Sequence, residues 1–273
     1  MIRYLAAGVK HAFGLHRPGR RLPVRPDDIL LASYPGSGNT WLQFLLANLI
    51  HPDREVNLGN LHRLIVDPDI TVKREIDRIR APRIVKTHGS FDPRYRRVIY
   101  EVRDPRDVVL AGYNDLRHND LRHSRKSGEE MPLEAFIGRF LAGELNRDLG
   151  SWGENAGSWL AARCGDPGFL LVRYEDLVAG TARELTRTAD FAGLPSAPER
   201  IARAVERGSA LPSVKSSWRH DLPAPQVARI EAAWGDVMAC LGYELVTRDH
   251  GSALESSLLA VLTAHSDDRR GAI

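Results

Sequence analysis

Residues 30–50 read "LLASYPGSGNTWLQFLLANLI". A short apolar run meets a turn of small residues, and a longer apolar segment follows it. The first run suits a strand buried on both faces, as in a parallel sheet covered by helices. Between strand and helix, Pro35, Gly36, Ser37 and Gly38 form a turn in which free backbone N–H groups and the positive end of the helix dipole converge. Such a turn can cradle an anion, with Ser37, Asn39 and Thr40 adding side-chain donors. It is not a Walker A loop, because GxxxxGK[ST] requires a lysine where this chain has Asn39-Thr40. A plain strand-to-helix connection looks the same locally, so the turn alone leaves both readings open.

Outward from this unit the pattern repeats. Apolar runs at 28–34, 82–87, 97–103 and 168–174 predict strands, and helical periodicity predicts helices over 39–50, 105–117, 132–143, 151–163, 181–192, 198–207 and 224–240. Strands alternating with helices give an α/β fold, a single domain with a central parallel sheet flanked by helices. The 273 residues divide into a basic arm (1–26), the domain (27–243) and a tail (244–273). The arm carries Arg3, Lys10, Arg17, Arg20, Arg21 and Arg25 and no acid before Asp27. It is compatible with peripheral contact to an anionic membrane surface and equally with a solvated arm. In the tail, Leu254, Leu258, Leu259, Val261 and Leu262 could line one side of a helix that docks, frays or joins a homodimer. The charge-dense "RHNDLRHSRKSGEEMP" at 117–132 reads as a long polar connection of the kind that covers active sites.

Bulk composition excludes several classes. With 38 basic against 35 acidic residues the net charge of +3 gives no footprint for nucleic acid, though a small anionic ligand fits. Cys164 and Cys240 stand far apart in sequence without a CxxC or a Cys/His cluster, which provides neither a disulfide framework nor a metal site and fits a reducing cytoplasm. No apolar run approaches the roughly 20 residues of a membrane span, and the N-terminus lacks a signal-peptide pattern.

Three further motifs close predicted strands, the edge where open α/β sheets bind ligands. "KTH" places Lys86 and His88 there, a cation for anionic oxygens and a group that takes a proton near neutral pH. "VRDPRDVVLAGY" offers Arg103 for bidentate contact with a phosphate, while Arg106 and Asp107 read equally as a surface pair. "VRYEDL" ends a strand at Tyr174, which offers an aromatic face and a hydroxyl. Each alone is more often structural than catalytic.

Together and in this order, "SYPGSGNTW", "KTH", "VRDPRDVVLAGY" and "VRYEDL" resemble the cytosolic-type sulfotransferases that use 3′-phosphoadenosine 5′-phosphosulfate (PAPS), over about Asp27 to Tyr243. The resemblance implies a P-loop-like loop in which Gly36, Ser37, Gly38, Asn39 and Thr40 hold the 5′-phosphosulfate, with Trp41 and Tyr174 beside the adenine. It implies Arg103 on the 3′-phosphate, His88 as general base and Lys86 on the transferring group. PAPS would be the co-substrate and 3′-phosphoadenosine 5′-phosphate (PAP) the product, with no metal and a small-molecule, lipid or carbohydrate acceptor bearing a hydroxyl or amine.

Three positions depart from the family pattern. Gly36 stands where Lys or Arg is common, Ala111 where a serine usually follows the phosphate arginine, and "LPSVKSSWRHDL" where R-K-G and a G-x-W are usual. Lys215, Trp218 and Arg219 are the stand-ins in the last segment, and Lys86 is the cation nearest in pattern to the one missing at Gly36. A P-loop kinase-like phosphotransferase and a catalytically impaired nucleotide-binding scaffold are the competing readings. The acceptor pocket is expected from segments 57–70, 90–95 and 113–150, which hold no decodable motif.

Overall fold

The computed structural model describes residues 24–79, 83–122, 131–209 and 217–247. Its strands are β1 (Ile29–Ser33), β2 (Ile84–Thr87), β3 (Arg97–Val102) and β4 (Phe169–Arg173). All three pairings are parallel, and the spatial order is β2-β1-β3-β4. In that order the chain reverses its direction of sheet growth between β1 and β3, and the crevice beyond the carboxyl ends of those strands is where such folds take ligands.

Strand alternation builds two apolar layers from one sheet. Ile29, Leu31, Ile84, Ile99 and Val172 face one side and pack on helices α1 (Asn39–Ile50), α8 (Thr181–Ala192) and α9 (Pro198–Gly208). Leu30, Ala32, Val85, Val98, Tyr100 and Val102 face the other, against α4 (Pro105–Arg122), α5 (Leu133–Leu141), α6 (Trp152–Arg163) and α11 (Ala224–Cys240). Short helices α2 (Leu61–Leu64), α3 (Lys73–Arg78), α7 (Tyr174–Ala179) and α10 (Trp218–Asp221) and a 3-10 turn (Glu144–Asn146) fill the connections.

Helix α4 continues to Arg122, so the first residues of the expected polar connection at 117–132 are helical, and residues 123–130 lie outside the described residues. Arg106 is not part of a surface pair. It is 1% exposed, ion-paired to Asp104 and Glu231 at 2.6 Å each, and stacked 3.7 Å above the Trp218 ring. Pro105 opens α4 and turns this charge inward. The arm up to residue 23, Lys215 and the tail from 248 onward lie outside the described residues.

Candidate active site

The turn after β1 is shaped by two left-handed glycines, Gly36 at φ 88° and Gly38 at φ 100°. Side chains rarely adopt this conformation. A Cβ on Gly38 would lie 2.3 Å from the Tyr174 ring, so tyrosine and loop are in direct contact. Gly38 precedes α1 with no side-chain cap, and the first turn of α1 contains no acid. The helix therefore keeps its N-terminal N–H groups and dipole available. Ser37 Oγ is buried without a hydrogen-bond partner among the described residues. Thr40 is exposed at the mouth, and Trp41 is half-buried with its indole N–H donating to Gly208 O at 3.3 Å.

The Asn39 side chain is partly engaged within the protein. Its Nδ2 donates one N–H to Ser33 Oγ at 2.9 Å and its Oδ1 accepts from Gln43, so the side chain is anchored to the end of β1 while its second Nδ2–H and the backbone N–H take no part in these bonds. Residue 39 is held over the end of β1 and is 5% exposed.

At the crevice, Arg103 follows β3, 3% exposed, with Nη1 donating to Gly36 O at 3.4 Å and its guanidinium 4.6 Å from the Tyr174 ring centroid. Trp41 meets the same tyrosine edge-on at 6.1 Å. Loop, arginine and both aromatics thus converge. Beneath them lies Glu101, fully buried, both carboxyl oxygens lacking a hydrogen-bond partner among the described residues. Burial, reinforced by Glu175 and opposed by Arg103, raises its pKa well above the ordinary range. A neutral acid there places no negative charge under the cradle.

His88 lies just beyond β2. Its Nδ1 is 2.7 Å from Ser33 O and 3.4 Å from Ser33 Oγ. A carbonyl oxygen only accepts, so the neutral ring carries its proton on Nδ1 and keeps the Nε2 lone pair. Asn155 Nδ2 fixes the His88 backbone carbonyl at 3.1 Å. Burial first, and then the Lys86 ammonium, push the His88 pKa down to about 4, so the ring is neutral at physiological pH. Lys86 Nζ donates to Asp67 Oδ2 at 2.9 Å.

Of the C-terminal stand-ins, Trp218 and Arg219 fall within the described residues. Trp218 N–H donates to Asp107 Oδ1 at 2.9 Å, and burial lifts the Asp107 pKa to about 6. Arg219 stacks on Trp218 at 4.5 Å and pairs with exposed Glu244 at 2.7 Å, so its charge is engaged at the surface. Sequence reasoning missed Asp67, Glu101 and the buried role of Arg106. Only Glu101 carried a visible signal, an acid inside the apolar run "RVIYEV".

Fold and site define an α/β protein with an uncapped, glycine-shaped anion loop at a sheet crevice, faced by an arginine and a neutral histidine. A sulfotransferase-domain family model matches residues 26–226, and the chain belongs to that family. It is 30% identical to sulfotransferase 1B1 of the dog, Canis lupus familiaris, over 190 residues, covering 61% of this chain and 59% of the relative. It is 28% identical to sulfotransferase 2A1 of Rattus norvegicus over 206 residues, 70% of each. A mouse sulfotransferase solved with PAP shares the fold at TM-score 0.62 and 22% identity, covering 79% of this chain and 86% of that one. A putative steroid sulphotransferase of Arabidopsis thaliana does so at 0.64 and 20%, covering 88% and 84%.

Proposed function

We propose that this chain moves the sulfuryl group of PAPS onto a hydroxyl or amine of a small-molecule, lipid or carbohydrate acceptor. The observation that carries the reading is the cradle: an acid-free, uncapped helix N-terminus with a buried Ser37 hydroxyl that has no partner among the described residues, faced across the crevice by Arg103. A dianionic end group fits these donors, and Gly36 and Gly38 let backbone N–H groups come close to it. Family membership supplies the donor's identity. Structural neighbours solved with PAP and retinol or androsterone are consistent with small apolar alcohols as acceptors.

When bound, PAPS supplies the sulfuryl group and a phosphate as leaving group. On this reading Ser37 and the N–H groups of Gly38, Asn39 and Thr40 hold the phosphosulfate, Arg103 takes the 3′-phosphate, and Trp41 and Tyr174 flank the adenine. His88 Nε2 takes the acceptor's proton as its oxygen or nitrogen attacks sulfur. The S–O bond to phosphate breaks and the electron pair leaves with PAP. Lys86 offsets charge on the transferring group. General-base help is worth roughly 10² to 10⁴ in rate, and one electrostatic donor about 10² to 10³. We place the domain at 27–243. Among the described residues no helix is long and apolar enough to cross a membrane, and peripheral contact through residues 1–26 stays part of the proposal, as do a homodimer and a cytoplasmic location.

The test pairs two variants. His88→Ala should abolish transfer of labelled sulfate from PAPS to acceptors in a cell extract and leave PAP affinity within about twofold of the parent, because the base touches the acceptor. Arg103→Ala should weaken PAP by roughly 1.5 to 3 kcal/mol and adenosine 5′-phosphosulfate, which lacks the 3′-phosphate, far less. Near-parental transfer by His88→Ala, or equal losses for both nucleotides in Arg103→Ala, would overturn these assignments.

A further inference from the structure

Asp67 has no counterpart in the motifs, yet the fold delivers it to the reacting face. Val66 N–H donates to Ile84 O at 2.9 Å and Lys86 N–H to Val66 O at 2.7 Å, so residues 65–67 lie along the free edge of β2, in parallel with Val85 opposite Val66. This register sets Asp67 beside Lys86. Its carboxylate is fixed from both ends, with Oδ2 accepting from Lys86 Nζ at 2.9 Å and Oδ1 from Asp69 N–H at 3.0 Å. Thr71 N–H further ties the turn to Asp67 O at 2.8 Å. The pair is largely shielded, with side-chain exposures of 20% for Lys86 and 10% for Asp67. Shielding makes such a pair stronger than a surface one.

The pair also faces His88. The charged groups that act on its ring are Lys86, which disfavours the imidazolium, and Asp67 and Asp69, which favour it. Ser33 O holds Nδ1 from the other side. Paired with Lys86, Asp67 offsets part of the ammonium's effect at the ring.

We propose that Asp67 is a positioning residue for the transfer step: it aims the Lys86 ammonium before the donor binds, gives it up to the anionic oxygens of the donor, and then supports the imidazolium that forms on His88. This rests on the function proposed above. Proton and charge stay matched through the step. As Lys86 turns to the donor's oxygens, its charge is spent there, and His88 gains the acceptor's proton. Asp67, with Asp69 acting in the same sense, then favours the new positive ring.

The decisive readout is His88 itself, followed by ¹⁵N NMR in the full-length protein with His88→Ala for assignment. Asp67→Asn should lower the His88 titration midpoint by about 1 pH unit, the size expected for removal of a nearby opposite charge, and Asp67→Glu should recover most of it. In the Lys86→Gln background, where the opposing ammonium is absent and the midpoint is higher, adding Asp67→Asn should again lower it. This double variant leaves no uncompensated charge and serves if Asp67→Asn alone does not fold. With PAPS and the extract acceptors, Asp67→Asn should cut the maximal rate about tenfold or more while PAP affinity stays within about twofold. Equal midpoints with and without Asp67, in either background, overturn the inference. Because the titration needs neither donor nor acceptor, it is independent of the transfer assay. Loss of PAP binding in the parent would sink the functional reading instead.

Discussion

Glu101 is an acid set beside Gly38 under the proposed anion cradle, where a negative charge would oppose an anionic ligand. Its neutrality has a measurable cost. Below the ordinary value of 4.5 the acid is protonated in both the folded and unfolded chain. As pH rises past that value, the unfolded chain releases the proton while the folded one, with its raised pKa, retains it. Stability therefore falls with rising pH, from the ordinary glutamate range up to the folded pKa, by at most about 1.4 kcal/mol per unit for one proton. Glu101→Gln keeps the shape and removes the slope. Urea unfolding at pH 5 and at pH 7.5 should show the variant gaining on the parent, with the larger gain at the higher pH. A difference that is constant with pH, or that shrinks as pH rises, would mean Glu101 is ionised in the fold. The same reasoning explains why this residue escaped sequence reading as a site element: an acid in an apolar strand has no periodic signature, and its meaning comes from Gly38, which meets it only after folding.

Elements were legible to the degree that their pattern was local. The strands are runs apolar on both faces, and each predicted run holds an observed strand within a residue or two of its ends. The seven long helices follow from periodicity and from breaks such as Gly193, which closes α8 in the left-handed conformation. The end of α4 was not legible, because "RHNDLR" carries a single apolar residue, Leu121, too few to show a helical period, and reads as a loop. Helices α2, α3, α7 and α10 are too short to show a period. The four motifs at strand ends were readable because each combines a strand end with a chemical group. Asp67 was not, since only the register of Val66 on Val85 brings it to Lys86. Arg106 was misread for a similar reason. Its Nε and Nη2 bind both oxygens of Asp104, Nη1 binds Glu231, and Nη2 reaches Glu244 O at 3.0 Å. Glu231 in turn accepts from the N–H groups of Val246 and Thr247. The first turn of α4, helix α11 and segment 244–247 are thus joined through one guanidinium. Arg106→Met should cost roughly 3 to 5 kcal/mol, the penalty for breaking a buried pair from one side, with Asp104 and Glu231 left without their cation. Denaturant unfolding measures it, and a loss under about 1 kcal/mol would show that the carboxylates find other partners or are protonated.

At the scale of the whole molecule, the two apolar layers are built from alternate residues of the same four strands. Neither layer can lose its packing without exposing the back of the other. The site draws on the ends of all four strands, through the turn after β1, His88 after β2, Arg103 after β3 and Tyr174 after β4. A ligand held there should therefore stabilise both layers together. The size follows from linkage: at about 100 times its dissociation constant, PAP adds about 2.7 kcal/mol, or roughly 5 to 10 °C in melting temperature for a chain of this size. Hydrogen exchange separates the layers by peptide. In the amides that open only on global unfolding, α1 on one side and α6 and α11 on the other should gain the same protection, while ATP with Mg²⁺ at equal concentration should give far less. Protection gained by α1 alone would show that the layers open independently and that the sheet does not couple them. No protection at all under saturating PAP would remove the cradle, and with it the assignment of Ser37 and Arg103.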